Sequence, residues 1–163
     1  MPLTLDDVVH HLNMPATPPE GDPRRRELER ALATATQELT RMTGLIDGPA
    51  SATARVTVTG RAARLPYVRL SAVTGAPGAV DLEAGLIDTA GLAPNTTLTV
   101  TCTRDDPWPS ALESAALDWA AHVYETQRTT LNPAGDDDAG LPSFALPNRV
   151  RQFAEPYLLP GAA

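Results

Sequence analysis

PWPSALESAALDWAAHVYETQR, residues 107–128, decides the fold of this 163-residue chain. Pro107 and Pro109 stop a preceding strand and impose a rigid, extended lead-in. Ser110 and Glu113 have the S-x-x-E spacing of a capping box, which predicts a helix over 109–128 with Ser110 as its N-cap. Leu112, Ala115, Ala116, Trp119 and Val123 form one apolar face at helical spacing. Leu117, Ala121 and Tyr124 form a second, leaving a narrow polar stripe of Ser114, Asp118, His122 and Glu125. A helix apolar most of the way round must be covered on several sides. It is therefore either the centre of the fold or wedged against a neighbouring subunit. On this reading Trp119 faces inward and Tyr124 lies at or near a subunit boundary.

Outward from this helix, the pattern is helical before residue 48 and strand-like from 52 to 104. Thr4 can cap a short first helix buried through Val8, Val9 and Leu12, with Asp6 and Asp7 well placed in its first turn. Asp22-Pro23 opens a second helix whose stripe is Leu28, Leu32, Ala35, Leu39 and Met42, and Gly44 stands at the C′ position. ARVTVTG and TLTVTCT then alternate with period two, burying Leu98, Val100 and Cys102 opposite threonines. RLPYVRLSAVT and AVDLEAGLIDTAG read as further strands joined by glycine turns. TTLNPAGDDDAGLP reads as a loop or flexible arm, and NRVRQFAEPY as a short closing helix whose last turn Pro156 interrupts. The expected architecture is α+β. A small helical bundle (1–48 and 107–128) holds an inserted small antiparallel sheet (about 54–103), and 129–163 form a loop and C-terminal arm. All of it reads as one domain.

Composition narrows the function classes. The 20% charged and 42% apolar content is that of a folded chain, and a chain of this length buries roughly 70% of its unfolded surface. No run approaches a membrane span, and MPLTLDDVVHHL lacks the basic and apolar regions of a signal peptide. A single cysteine forms no internal disulfide, which fits a reducing compartment. Net charge is −7, and all thirteen basic residues are arginine. Such a chain suits poorly the clustered positive charge that nucleic-acid binding requires. Six of the seven aromatics, all except Tyr67, follow residue 107, so the C-terminal third should carry the main packing.

No pattern of catalytic or ligand-holding residues emerges. His10 and His11 are adjacent and point about 100° apart on a helix, so they do not chelate one ion together. Cys102 alternates with Val100 and Leu98 as a small core residue. Asp136-Asp137-Asp138 lack the alternating ligands and closing glutamate of a calcium loop. Asn95-Thr96-Thr97 matches a glycosylation sequon that has no consequence without export. P-loop, dinucleotide-binding, zinc-protease and nucleophile-elbow motifs are absent from the sequence. Arg24-Arg25-Arg26 oppose a helix dipole, a cost that pairing of Arg25 with Glu29 or Arg24 with Glu27 offsets. They read first as a solvated face, and second as a contact with an acidic partner or DNA. The surplus apolar surface favours a subunit of an assembly over an enzyme. A small ligand-binding or enzymatic domain using Cys102, His122 and Glu125 is the alternative from another class.

Several stretches together resemble the head-to-tail connector (adaptor) proteins of long-tailed bacteriophages, particularly those infecting actinobacteria. They are LTLDDVVHHLNM with the RELERALATATQELTRMTG helix, the Leu-Pro strand RLPYVRLSAVTG, and the pair TLTVTCT and WPSALESAALDWAAHVYETQR. LPNRVRQFAEPYLLPG resembles the family's closing helix and Pro-Tyr tail. The resemblance implies a structural virion protein of the neck, assembled in the host cytoplasm, with no catalytic residue, cofactor or metal. It implies a ring of about twelve copies attached to the portal, with genomic DNA passing through without specific binding. The ring would also dock the next neck or tail protein, a stopper or tail terminator; the alternative reading is a tail-completion or stopper protein of the same neck. Leu117, Ala121 and Tyr124 are then expected at subunit contacts. Val150, Phe153, Tyr157, Leu158 and Leu159 would form an arm reaching the portal, and Arg24, Arg25 and Arg26 a further contact.

Overall fold

The computed structural model describes residues 3–131 and 146–159; Asp136–Asp138, Phe144 and most of the expected loop at 129–147 lie outside the described residues. The elements are α1 (Leu5–His11), α2 (Pro23–Thr43), β1 (Ala50–Thr57), β2 (Ala62–Arg64), β3 (Ala72–Thr74), β4 (Val80–Asp81), β5 (Leu86–Asp88), β6 (Thr97–Arg104), α3 (Ser110–Leu131) and α4 (Asn148–Ala154). A single 3-10 turn, Glu155–Tyr157, follows with Pro156 inside it. The fold is α+β, as the sequence indicates. It divides into a sheet unit, Thr40–Trp108 with Leu159, and a helical unit, Leu3–Leu39 with Pro109–Leu158.

In the helical unit, α1 opens with a complete capping box. The Thr4 amide and hydroxyl donate to Asp7 Oδ2 at 2.7 and 2.6 Å, while the Asp7 amide donates back to Thr4 Oγ1. Asp22 Oδ1 accepts the Arg24 amide at 2.9 Å and so caps α2. On α3 the expected Ser110 cap shifts by one residue. The Leu112 and Glu113 amides both donate to the Pro109 carbonyl, so Pro109 is the cap and Ser110 the first helical residue. The core joins Val8 and Val9 of α1, Leu28, Ala31 and Ala35 of α2, and Ala120 and Tyr124 of α3.

The buried stripe of α3 is Leu112, Ala115, Ala116, Ala120 and Tyr124. It follows the i, i+4 row and therefore drifts one residue from the predicted line through Trp119 and Val123. This reverses the expected pair. Tyr124 is 2% exposed, whereas Trp119 and Val123 are only partly buried and pack on the cluster's margin. The helix is central to the helical unit, with α1 and α4 both packed on it.

The sheet unit holds two three-stranded antiparallel sheets where one was expected, ordered β1-β6-β3 and β2-β5-β4. Most of RLPYVRL is not strand; it is a loop anchored by buried Leu65 and Leu70. β1 and β6 pair without interruption from Ala50↔Arg104 to Thr57↔Thr97. Both sheets feed one core, with Ala54, Val100 and Cys102 from the first and Ile87 from the second. The inward alternation of β6 continues past Cys102 to Arg104, which is 5% exposed. Its guanidinium donates to the carbonyls of Ile46 at 2.7 Å and Pro107 at 3.2 Å, and its Nε meets no acceptor among the described residues. Beside it, Trp108 donates from its indole to the Leu45 carbonyl and from its amide to Asp47 Oδ1.

Gly44 ends α2 at φ +69°, as its C′ position suggested. A Cβ here would come within 3.1 Å of both Leu159 Cδ1 and the Pro66 carbonyl. Leu159 also donates its amide to the Met42 carbonyl at 2.9 Å. The tail expected to have little to pack against is therefore seated, at Leu159, on the chain's own sheet unit.

Candidate functional site

The best-defined polar centre lies on the polar stripe of α3. Asp118 Oδ1 is 2.9 Å from His11 Nε2 of α1, and Asp118 Oδ2 is 3.0 Å from Arg149 Nε of α4. The Asp118 side chain is 15% exposed, so this carboxylate ties three helices together rather than facing solvent. Sequence reading placed Asp118 on the polar side but had no signal for its partners, which are distant in the chain. The Arg149 guanidinium also lies over the Phe153 ring, 5.6 Å from its centre.

The residues assigned to partner contacts fall into different environments. Leu117 and Ala121 are half-buried on α3, and Phe153, Tyr157, Leu158 and Leu159 are half-buried at the C-terminal end. Tyr124 and Val150 are buried inside the helical unit, at 2% and 0% exposure. That corrects the expected partner contacts at these two positions, because neither has surface to offer. Arg24 pairs with Asp22 at 2.8 Å, not with Glu27; this raises the arginine pKa and lowers that of the carboxylate. Arg25 pairs with Glu29 at 2.9 Å as its i, i+4 spacing allowed, and Arg26 is exposed.

Cys102 lacks the setting of a nucleophile. Cys102 is fully buried, and burial pushes its thiol pKa up, the opposite of what a nucleophile needs. It belongs to the sheet unit, whereas His122 and Glu125 belong to the helical unit. Among the described residues no three His, Cys, Asp or Glu side chains converge as metal ligands, and no helix is long and apolar enough to cross a membrane. A shallow hollow of about 440 Å³ lies over β2, β4 and β5, lined by Arg61, Asp81, Leu86 and Asp88 among others. Asp81 and Asp88 each accept a backbone amide of their own turns, from Ala84 and Ala90.

The outer face of the β1-β6-β3 sheet is distinctive. Ser51, Thr53 and Thr57 stand opposite Thr103, Thr101 and Thr97, with Thr74 on β3 beside Thr101. Arg55, opposite Thr99, is the single charge in this array, and Ser51 Oγ lies 2.9 Å from Thr103 Oγ1.

Solved structures supply the comparison. A chain in the neck of an empty gene transfer agent particle, determined with C6 symmetry, superposes with a TM-score of 0.60 at 19% identity, covering 99% of this chain and 93% of that one. This chain shares that fold. A chain in the virion of a native gene transfer agent particle superposes with a TM-score of 0.58, again at 19% identity and the same coverage. No family model and no curated protein matches the sequence. The likeness runs through both units and is not confined to the helical part.

Proposed function

We propose that this chain is a structural subunit of the neck of a phage-like particle, a connector that forms a ring on the portal. The observation that carries the reading is the end-to-end fold match to a neck chain, at 99% coverage of this chain. C6 symmetry of that neck accommodates rings whose copy number is a multiple of six, including one of about twelve. The half-buried apolar side chains Leu117, Ala121, Phe153, Tyr157 and Leu158 supply contact area for neighbouring subunits, the portal or the next tail protein. Arg24–Arg26 offer a polar rim. A net charge of −7 leaves DNA free to slide through the ring, because phosphate finds few clustered cations to hold it.

The test is native mass spectrometry and electron microscopy of the protein alone and with the portal of the same particle. Ring-sized complexes that include the portal are expected. A protein that stays monomeric and ignores the portal refutes the proposal, and one that binds only a ring already seated on the portal is a stopper instead.

A further inference from the structure

We propose that the free edge of β1 is the surface on which one copy of this chain seats the next, by strand addition to the β1-β6-β3 sheet. This rests on the ring reading above and names the contact that would build the ring.

The backbone parity of β1 is fixed at both ends. The Gly48 amide donates to the Asp106 carbonyl before the strand, and the Val58 amide donates to the Thr96 carbonyl after it. Antiparallel ladders alternate, so the even-numbered residues between them spend their backbone groups on β6. The N–H and C=O groups of Ser51, Thr53, Arg55 and Thr57 point the other way. β1 is the rim of its sheet, and among the described residues no other backbone takes those groups up.

An edge of eight residues is usually blunted by proline, lysine or a bulge. Here the pairing with β6 runs without a bulge, and the four outward residues are two threonines, a serine and one arginine, all exposed. Arg55 is the one charge that guards this edge, which leaves its threonine and serine positions open to another strand.

The occupant is a second copy because this chain carries both halves of the joint. β3, Ala72–Thr74, is the opposite rim of the same sheet. β1 and β3 each run antiparallel to β6, and therefore run in the same direction as one another. A rotation that carries one copy onto the next sets β1 of the first beside β3 of the second in parallel. That is a head-to-tail contact, the kind that closes into a ring.

Hydrogen exchange resolved to single amides, on diluted monomer and on assembled ring, tests this directly. β3 is three residues long, so at least one of the amides of Ser51, Thr53, Arg55 and Thr57 should exchange at least about tenfold more slowly in the ring, while those of Ala52, Ala54 and Val56 are already protected in the monomer. In parallel, Thr53→Pro, Arg55→Pro and Thr57→Pro, made singly, each remove one outward donor without touching a β6 bond. All three should keep their melting temperature, and at least one should lose the ring. A ring in which all four amides exchange as in the monomer, or three folded proline variants that all still form rings, overturns this inference and leaves the neck reading standing. Failure of the unaltered protein to form any ring, with or without portal, overturns both.

Discussion

Replacing Arg104 by alanine should be among the most damaging single changes in the sheet unit. The guanidinium is 5% exposed and supplies the donors for the Ile46 carbonyl at 2.7 Å and the Pro107 carbonyl at 3.2 Å. Hydrogen bonds from a charged group contribute about 1.5–3 kcal/mol each, with the longer bond at the low end. One effect opposes this: the unpartnered Nε costs desolvation free energy that alanine recovers. It is one group against two stranded carbonyls and an emptied volume, so the losses win. The expected net cost is about 4 kcal/mol, or a fall in Tm of roughly 8–16 °C for a chain of this size. Arg104→Lys should cost about half as much, because an ammonium does not fork to both carbonyls in this geometry. Urea titration is the assay, followed by far-ultraviolet dichroism and by tryptophan fluorescence, to which Trp108 beside Arg104 contributes. An alanine variant within about 1 kcal/mol of the unaltered protein, or a lysine variant equal to it, refutes the reasoning.

Two further predictions follow from named contacts. Gly44→Ala places a β-carbon in the left-handed region and against Leu159 and Pro66. It should cost about 1–2 kcal/mol and loosen the Leu159 amide, read by hydrogen exchange at Leu159; unchanged stability and exchange would sink the account of the seated tail. Asp7 titrates below its ordinary value of 3.8 because the Thr4 hydroxyl and amide donate to it. A depressed carboxyl pKa contributes stability that is present above the unfolded value and lost as pH falls through the folded one. The α1 cap should therefore hold down to the ordinary carboxyl value of 3.8 and open only in solution more acidic than that. Carbon-13 chemical shifts of Asp7 check this, and a midpoint at or above 3.8 contradicts it.

Much of the fold was legible because local chemistry and tertiary packing agreed. Thr4 and Asp7, Asp22 before Pro23, Gly44 after α2, and the alternation of β6 each act within a few residues of themselves. Trp119 and Tyr124 were misjudged because a straight i, i+3, i+4, i+7 template and the i, i+4 row diverge by one residue over three turns. Which row is buried depends on the helices that cross it. Arg104 carried a readable signal, since extending Leu98, Val100 and Cys102 by two residues points it inward; its charge masked the pattern. The Asp118 cluster left no trace, because its partners come from residues 11 and 149. The split into two sheets depended on where Leu65 and Leu70 anchor a loop, which strand periodicity does not encode.

The Asp118 cluster also imposes an order on synthesis. Residues 40–108 of the sheet unit leave the ribosome as one block, but the helical unit joins residues up to 39 with residues from 109 to 158. At roughly 5–20 residues per second, α1 and α2 wait several seconds with their apolar stripes uncovered before α3 and then α4 arrive. A nascent chain stopped before α3 therefore exposes those stripes to chaperones and proteases even though its β-strands are complete. Only a polypeptide read through to α4 closes the Asp118 carboxylate between His11 and Arg149. Translation itself thus sorts finished chains from broken ones.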